Sequence, residues 1–229
     1  MDYDVISFDL DGTLVDTAGE IAAAANLALT EHGIAERSLA EITALIGAGT
    51  RELMRKLLAR CIEVQPSLAQ RVPFDALMAS FDLHYAQTTG TSAAPYAGCR
   101  EALAQLKQAG LRLACTTNKE LRHAQRVLEA TALDGCFDLV IGGDSLREKK
   151  PHASVLRHVA EKLGVATHRS AHLGDSALDV AAARNAGMAA WAVPYGYNAG
   201  VPIEASMPDR LFASLTQVAE HVLATRRAA

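Results

Sequence analysis

Near its start the chain reads Val5-Ile6-Ser7-Phe8 and then, without a spacer, Asp9-Leu10-Asp11-Gly12-Thr13. A short apolar stretch that stops in two acids and a glycine has the pattern of a buried strand running into a turn. The carboxylates then stand just past the carboxyl end of that strand. Whether they are turn formers or reagents depends on what the rest of the chain brings to the same edge.

Moving outward, residues 17–92 change character. Ala, Leu and Glu dominate, β-branched clusters are few, and apolar residues recur at helical spacing, as in Ile21, Ala24, Ala25, Ala28 and Leu29. The spacing predicts several helices, interrupted at Gly47-Ala48-Gly49, with Gly49 or Thr50 capping a helix that begins near Arg51. After Pro95-Tyr96-Ala97-Gly98 the pattern alternates. Strands are expected at 111–116, 139–141, 171–173 and 189–193, and helices at 120–130, 153–163, 177–186 and from about Leu211 to Ala224. Repeated βα units with short Gly- or Asp-containing turns place the chain in the α/β class, with a mostly parallel sheet covered on both faces. The expected division is an α/β unit of residues 1–16 and 93–229, with residues 17–92 inserted as a helical unit after the first strand.

Composition narrows the partners. The chain has 229 residues, half of them hydrophobic, enough for one domain plus a modest insertion. With 22 basic and 26 acidic residues the net charge is −4, which offers no long-range attraction to nucleic acid or an anionic membrane. An anionic ligand must be held by a local lysine, a metal or a set of donors. Cys61, Cys99, Cys115 and Cys136 form no CxxC pair and are expected to be small buried apolar residues. The Met-Asp-Tyr-Asp start lacks the positive charge of a secretory signal, and no run reaches the ~20 apolar residues of a membrane span, so a cytoplasmic protein is expected.

Ligands of open α/β sheets bind beyond the carboxyl ends of the strands. After the successive expected strands stand Asp9 and Asp11, then Thr117-Asn118-Lys119, then Gly142-Gly143-Asp144, then Gly174-Asp175-Ser176, while Lys150 precedes Pro151 at a helix entrance. Carboxylates gathered in one crevice repel one another, and a hard divalent cation such as Mg²⁺, with oxygen ligands shared between protein and phosphate, relieves this. A carboxylate beside it can act as a nucleophile on phosphorus, and a second one two residues away can donate and later recover a proton. Each part also has an ordinary reading. Asp-x-Asp-Gly-Thr forms turns, Thr117 and Asn118 can cap a helix, Lys149-Lys150 can be a solvated pair, and Gly174-Asp175-Ser176 can be an N-cap with Asp179 as a first-turn acid favoured by the helix dipole. Their order and shared location after successive strands weaken all four ordinary readings together.

In that order the residues resemble the four motifs of the haloacid dehalogenase superfamily, and within it the phosphatases: Asp9-Leu10-Asp11-Gly12-Thr13, Thr117, Lys150, and Gly174-Asp175 through Asp179. The resemblance spans essentially the whole chain and implies a doubly wound, Rossmann-like core with residues 17–92 as a helical cap. It implies Asp9 as nucleophile, Asp11 as general acid and base, and Thr117, Asn118 and Lys150 as phosphate ligands. Mg²⁺ would be held by Asp9, Asp11 through its backbone carbonyl, and Asp175, with Asp179 in or next to the shell. Pro95-Tyr96-Ala97-Gly98, Thr117-Asn118-Lys119, Gly142-Gly143-Asp144, Tyr195-Gly196-Tyr197-Asn198 and Gly47-Ala48-Gly49 are similar to bacterial phosphoglycolate phosphatases, whereas Glu120 and Ala153 stand where that group often has proline. The expected substrate is therefore a small phosphorylated metabolite, 2-phosphoglycolate first, with a sugar phosphate or a catalytically silent binding protein as alternatives. Arg51, at the start of the helix after Gly49, is the candidate for a substrate carboxylate, because a guanidinium matches that planar anion.

Overall fold

The computed structural model describes residues 3–227. In chain order the elements are β1 (Val5–Phe8), β2 (Val15–Asp16), α1 (Ala18–Glu31), α2 (Leu39–Thr43), α3 (Thr50–Val64), α4 (Leu68–Arg71), α5 (Phe74–Thr88), β3 (Ala94–Pro95), α6 (Cys99–Gln108), β4 (Arg112–Thr116) and α7 (Leu121–Ala130). They continue with β5 (Leu139–Ile141), α8 (Ala153–Lys162), β6 (Ser170–Gly174), α9 (Ala177–Ala186), β7 (Ala189–Ala192), β8 (Arg210–Leu211) and α10 (Leu215–Arg227).

Six strands form one sheet in the order β5-β4-β1-β6-β7-β8, every neighbouring pair parallel. Strand alternation explains its two covered faces. Ile6, Phe8, Leu113, Cys115, Leu173 and Trp191 pack with α6, α7 and α10, while Val5, Ala114, Ala190 and Ala192 pack with α8 and α9. This is the doubly wound α/β fold. From β1 the sheet grows to β4 and β5 on one side and to β6, β7 and β8 on the other, so the chain reverses direction across the sheet next to β1. A crevice opens at such a switch point, beyond the carboxyl ends of the central strands.

A third cluster of buried side chains, running from Ile21 to Tyr85, lies entirely within α1 to α5 and their connections. Its two stems are paired: Val15 and Asp16 of β2 run antiparallel to Pro95 and Ala94 of β3. Cys61, Cys99 and Cys115 are buried and Cys136 is half-buried, all four as free thiols. Trp191 is buried in the core against Tyr3 and Phe212. Several boundaries shift by one residue from expectation, and one shifts further. The last helix begins at Leu215, because Arg210 and Leu211 pair with Trp191 and Ala192 as a two-residue edge strand. A strand that short carries no periodic signal. Among the described residues no helix is long and apolar enough to cross a membrane.

Candidate active site

The floor of the crevice is a buried set of charges. Asp9 continues from β1, its N–H donating to Leu173 O at 2.9 Å, so its side chain is fixed by the β1–β6 ladder. Lys150 Nζ lies 2.9 Å from Asp9 Oδ1 and 2.6 Å from Asp179 Oδ1. The lysine is clamped at its backbone: Asn118 Oδ1 accepts from Lys150 N at 3.0 Å, and Asn118 Nδ2 donates to Lys150 O at 3.1 Å. Asp175 accepts from the Thr13 hydroxyl at 2.8 Å and from the Tyr197 N–H at 2.6 Å. Asp179 closes a capping box with Ser176 at the start of α9. Its other oxygen, besides meeting Lys150, lies 3.2 Å from His172 Nε2. His172 is tied in turn to Ser7 and Ser7 to Thr116, at 3.0 and 2.9 Å, across the middle of the sheet.

Asp11 points the other way. Its Oδ1 accepts from Lys119 Nζ at 2.5 Å and from the Thr17 hydroxyl at 2.6 Å. Above it Ile21, Ile46, Leu53 and Tyr85 form an apolar roof over a cavity of about 20 Å³, room for about one water molecule. Hydrogen bonds join the roof to the floor beside the cavity: Asn118 Nδ2 donates to Gly47 O at 3.0 Å and the Thr50 hydroxyl to Glu120 Oε1 at 2.9 Å.

Burial and mutual repulsion set the protonation of the floor. Burial pushes Asp9 up to about 6 although Lys150 pulls it down, with Asp179 and Asp11 adding repulsion. Asp175 is raised well above the usual carboxylate range, by burial and then by the charges of Asp179 and Asp9. Asp179 is buried as well, yet Lys150 holds it far below that range. Lys150 keeps its proton despite burial because Asp179 and Asp9 face it. Asp11 does the same for buried Lys119.

These positions coincide with a known family pattern. Residues 6–193 match the family described as haloacid dehalogenase-like hydrolase. The chain belongs to that family. It is 36% identical to a phosphoglycolate phosphatase of Thiobacillus denitrificans over 93% of each chain, and 40% identical to one of Nitrosospira multiformis over 85% of each. Among solved structures it is similar to a predicted phosphoglycolate phosphatase from Haemophilus somnus, with a TM-score of 0.89 and 31% identity over 96% of this chain and 98% of that one.

Against this haloacid dehalogenase-like frame, Asp9, Asp11, Thr117, Lys150, Asp175 and Asp179 all gather at the carboxyl edge of β1, β4 and β6. Lys149 is exposed whereas Lys150 is buried, so the pair is not a solvated one. Glu120, not Thr117 or Asn118, is the N-cap of α7. The N-cap reading holds as far as it goes: Ser176 is the N-cap of α9 and Asp179 its first-turn acid, with one oxygen on Ser176 and the other facing Lys150. Asn118 lines the cavity, but its side chain is engaged by Gly47 and Lys150, so it braces the lysine and the roof loop. Arg51 is a correction. Its side chain is 64% exposed, pairs with Asp75 at 3.0 Å and stacks over Phe74, and it is not among the residues that line the cavity. In α3 the buried residues are Thr50, Leu53, Met54, Leu57, Leu58 and Cys61, and position 51 falls on the flank of this stripe, where its side chain meets Asp75 and Phe74.

Several site residues carry no role in the sequence reading. Lys119 stands in the sequence only as the third residue of Thr117-Asn118-Lys119. Tyr197 gives its N–H to Asp175, while its hydroxyl meets Asp16 and accepts from Thr17 and Ala18 N–H at 2.9 and 3.1 Å at the start of α1. Gly174 and Gly196 have no space for a side chain: a Cβ on the first would overlap the Asp179 carboxylate, and on the second the Asp175 side chain. A glycine directly preceding an acid after a strand is the signal that was available for Gly174.

Proposed function

We propose that this phosphatase of the haloacid dehalogenase-like family hydrolyses 2-phosphoglycolate with Mg²⁺ through an aspartyl-phosphate on Asp9. The observation that carries the reading is the buried floor, where Asp9, Asp175 and Asp179 each offer an oxygen within 4.8 Å of the others, with Lys150 at one side. Lys150 lies 2.9 Å from Asp9 Oδ1 but off the hydrogen-bonding direction, leaving that oxygen without a donor. Three buried carboxylates facing one ammonium are short of positive charge, and all the available donors are oxygens, which suits Mg²⁺. Asp9, Asp175 and the backbone carbonyl of Asp11 would hold the ion, with Asp179 next to it. When bound, the ion neutralises charge on the phosphoryl oxygens and on the carboxylates.

Asp9 attacks phosphorus, forming an Oδ–P bond as the ester P–O bond breaks, while Asp11 donates a proton to the leaving oxygen. Asp11 then takes a proton from water, whose oxygen attacks the same phosphorus and releases Asp9 and inorganic phosphate. Lys150 and Thr117 hold the phosphoryl oxygens, supplying positioning and electrostatic stabilisation. We assign residues 1–16 and 93–229 to the catalytic core and 17–92 to a cap that lifts to admit substrate, since about 20 Å³ is too little for any phosphate ester. The names of the relatives support 2-phosphoglycolate.

Asp9→Asn tests the chemistry. It removes the nucleophile at nearly constant shape, and kcat is expected to fall by at least about 10⁴-fold. EDTA should silence the native enzyme and added Mg²⁺ restore it. Activity retained by Asp9→Asn, or unaffected by EDTA, removes the reading.

A further inference from the structure

Lys119 is buried, with a side chain 1% exposed. It lines the same cavity as Asp9, Asp11 and Thr117, and it is the one cation among the described residues that line it. Its partner is Asp11 rather than Asp9, and its ammonium lies 5.5 Å from the ring centroid of Tyr85 in α5. The walls beyond it, Ile21, Ile46 and Leu53, are apolar.

Resting on the substrate class proposed above, we infer that Lys119 is the specificity-determining residue that binds a second anionic group on the leaving half of the substrate. With phosphorus at Asp9, the ester oxygen lies at Asp11, whose Oδ1 is 2.5 Å from Lys119 Nζ. Whatever the leaving group carries one or two bonds further on meets this ammonium or the apolar roof. The carboxylate of glycolate is two bonds from the ester oxygen, which matches that reach. A second anion among Ile21, Ile46 and Leu53 would be unpaired and costly to bury, whereas against Lys119 it is paired. Lys150 cannot serve both ends, because it is bracketed by Asp9 and Asp179 on the phosphoryl side. Lys119 thus takes the role that the sequence suggested for Arg51.

The test compares 2-phosphoglycolate with 2-hydroxyethyl phosphate, a neutral-tailed ester of similar size, in native enzyme, Lys119→Met and Lys119→Gln. The readout is the ratio of the two kcat/KM values within each protein, because losing the Asp11 partner lowers both absolute rates. The native ratio is expected to favour phosphoglycolate by at least about 30-fold, as for a buried charge pair, and to collapse toward unity in both variants. Lys119→Arg should keep part of the preference. A native preference that survives in the variants assigns the carboxylate to another group and overturns the inference. Equal turnover of the two esters by the native enzyme overturns the substrate reading itself, and this subsite with it. If Lys119→Met does not fold, the ratios of Lys119→Gln and Lys119→Arg decide the matter alone.

Discussion

Lys150 and Lys119 are both buried, and each pairs with one acid of the same Asp-x-Asp turn, yet they are held in different ways. Lys150 is fixed from several directions: Asn118 clamps its backbone, Asp9 and Asp179 bracket its ammonium, and Asp179 is itself held by Ser176 and His172. Lys119 also has its backbone held, its N–H donating to the Thr117 hydroxyl and its carbonyl accepting from Gly143 N–H, but its ammonium meets one acid, Asp11, and an aromatic ring of the roof. The first arrangement is preorganised for one geometry, as stabilising a transferring phosphoryl group requires. The second pairs its ammonium with one acid instead of two, and in the proposed reading it faces the part of the substrate that differs from one ester to another. Fixed chemistry below and selection above is the division this contrast teaches.

The largest effect that tests this division is on the floor. Lys150→Met should lower kcat/KM by about 10³-fold, a typical cost for removing a preorganised electrostatic group. The loss should be the same for 2-phosphoglycolate and for an unrelated aryl phosphate. A loss confined to one substrate would break the division, because the floor would then be choosing substrates.

On the roof, Leu53→Ala should act in the opposite manner. Leu53 is 2% exposed and belongs both to the cavity wall and to the helical cluster. Truncating it should cost about 2–4 kcal/mol in a denaturant melt. Steady-state kinetics should show a KM for the small substrate raised by up to about 10-fold, with bulkier phosphate esters relatively better tolerated. A uniform fall in kcat across substrates would place Leu53 with the floor.

The same contrast explains what was legible in the sequence. The floor is made of residues at the ends of strands, and a parallel sheet brings strand ends together whatever the intervening loops do. Asp9, Thr117 and Asp175 could therefore be assembled on paper from strand order alone. The roof has no such rule. Ile21, Ile46, Leu53 and Tyr85 come from α1, the loop after α2, α3 and α5, and only tertiary packing brings them to one place. Arg51 lies on the flank of the apolar stripe from Leu53 to Cys61, where helical phase alone decides nothing, and its pairing with Asp75, 24 positions on, leaves no local pattern. Lys119 and Tyr197 escaped because an ion pair across 108 positions, or a hydroxyl capping a helix 179 positions away, leaves no local pattern.

The smallest effect concerns the seam between the two regions. His123 in α7 is buried, stacks against Tyr85 at 4.4 Å, and lies 3.1 Å from the Thr89 hydroxyl just past α5. Burial lowers its pKa to about 4, helped by the positive charges of Arg122, Lys119 and Arg126. The Asp144 carboxylate pulls the other way, but burial outweighs it; Glu120 lies 3.6 Å from Nε2. Between that value and the ordinary 6.5, the unfolded chain carries a proton that the folded one does not. The stability His123 contributes is therefore complete above about pH 6.5 and drains away as pH falls toward 4, by about 2 kcal/mol between pH 7.5 and 5. Buried carboxylates such as Asp9 and Asp175, whose pKa values are raised, work in the opposite sense. The informative quantity is consequently the difference between the native protein and His123→Gln in denaturant melts at the two pH values. The variant should lose about 2 kcal/mol less than the native protein on acidification. Equal losses would mean that His123 takes up its proton in the folded state, as it would if Glu120 closed on Nε2 and made the seam an ion pair.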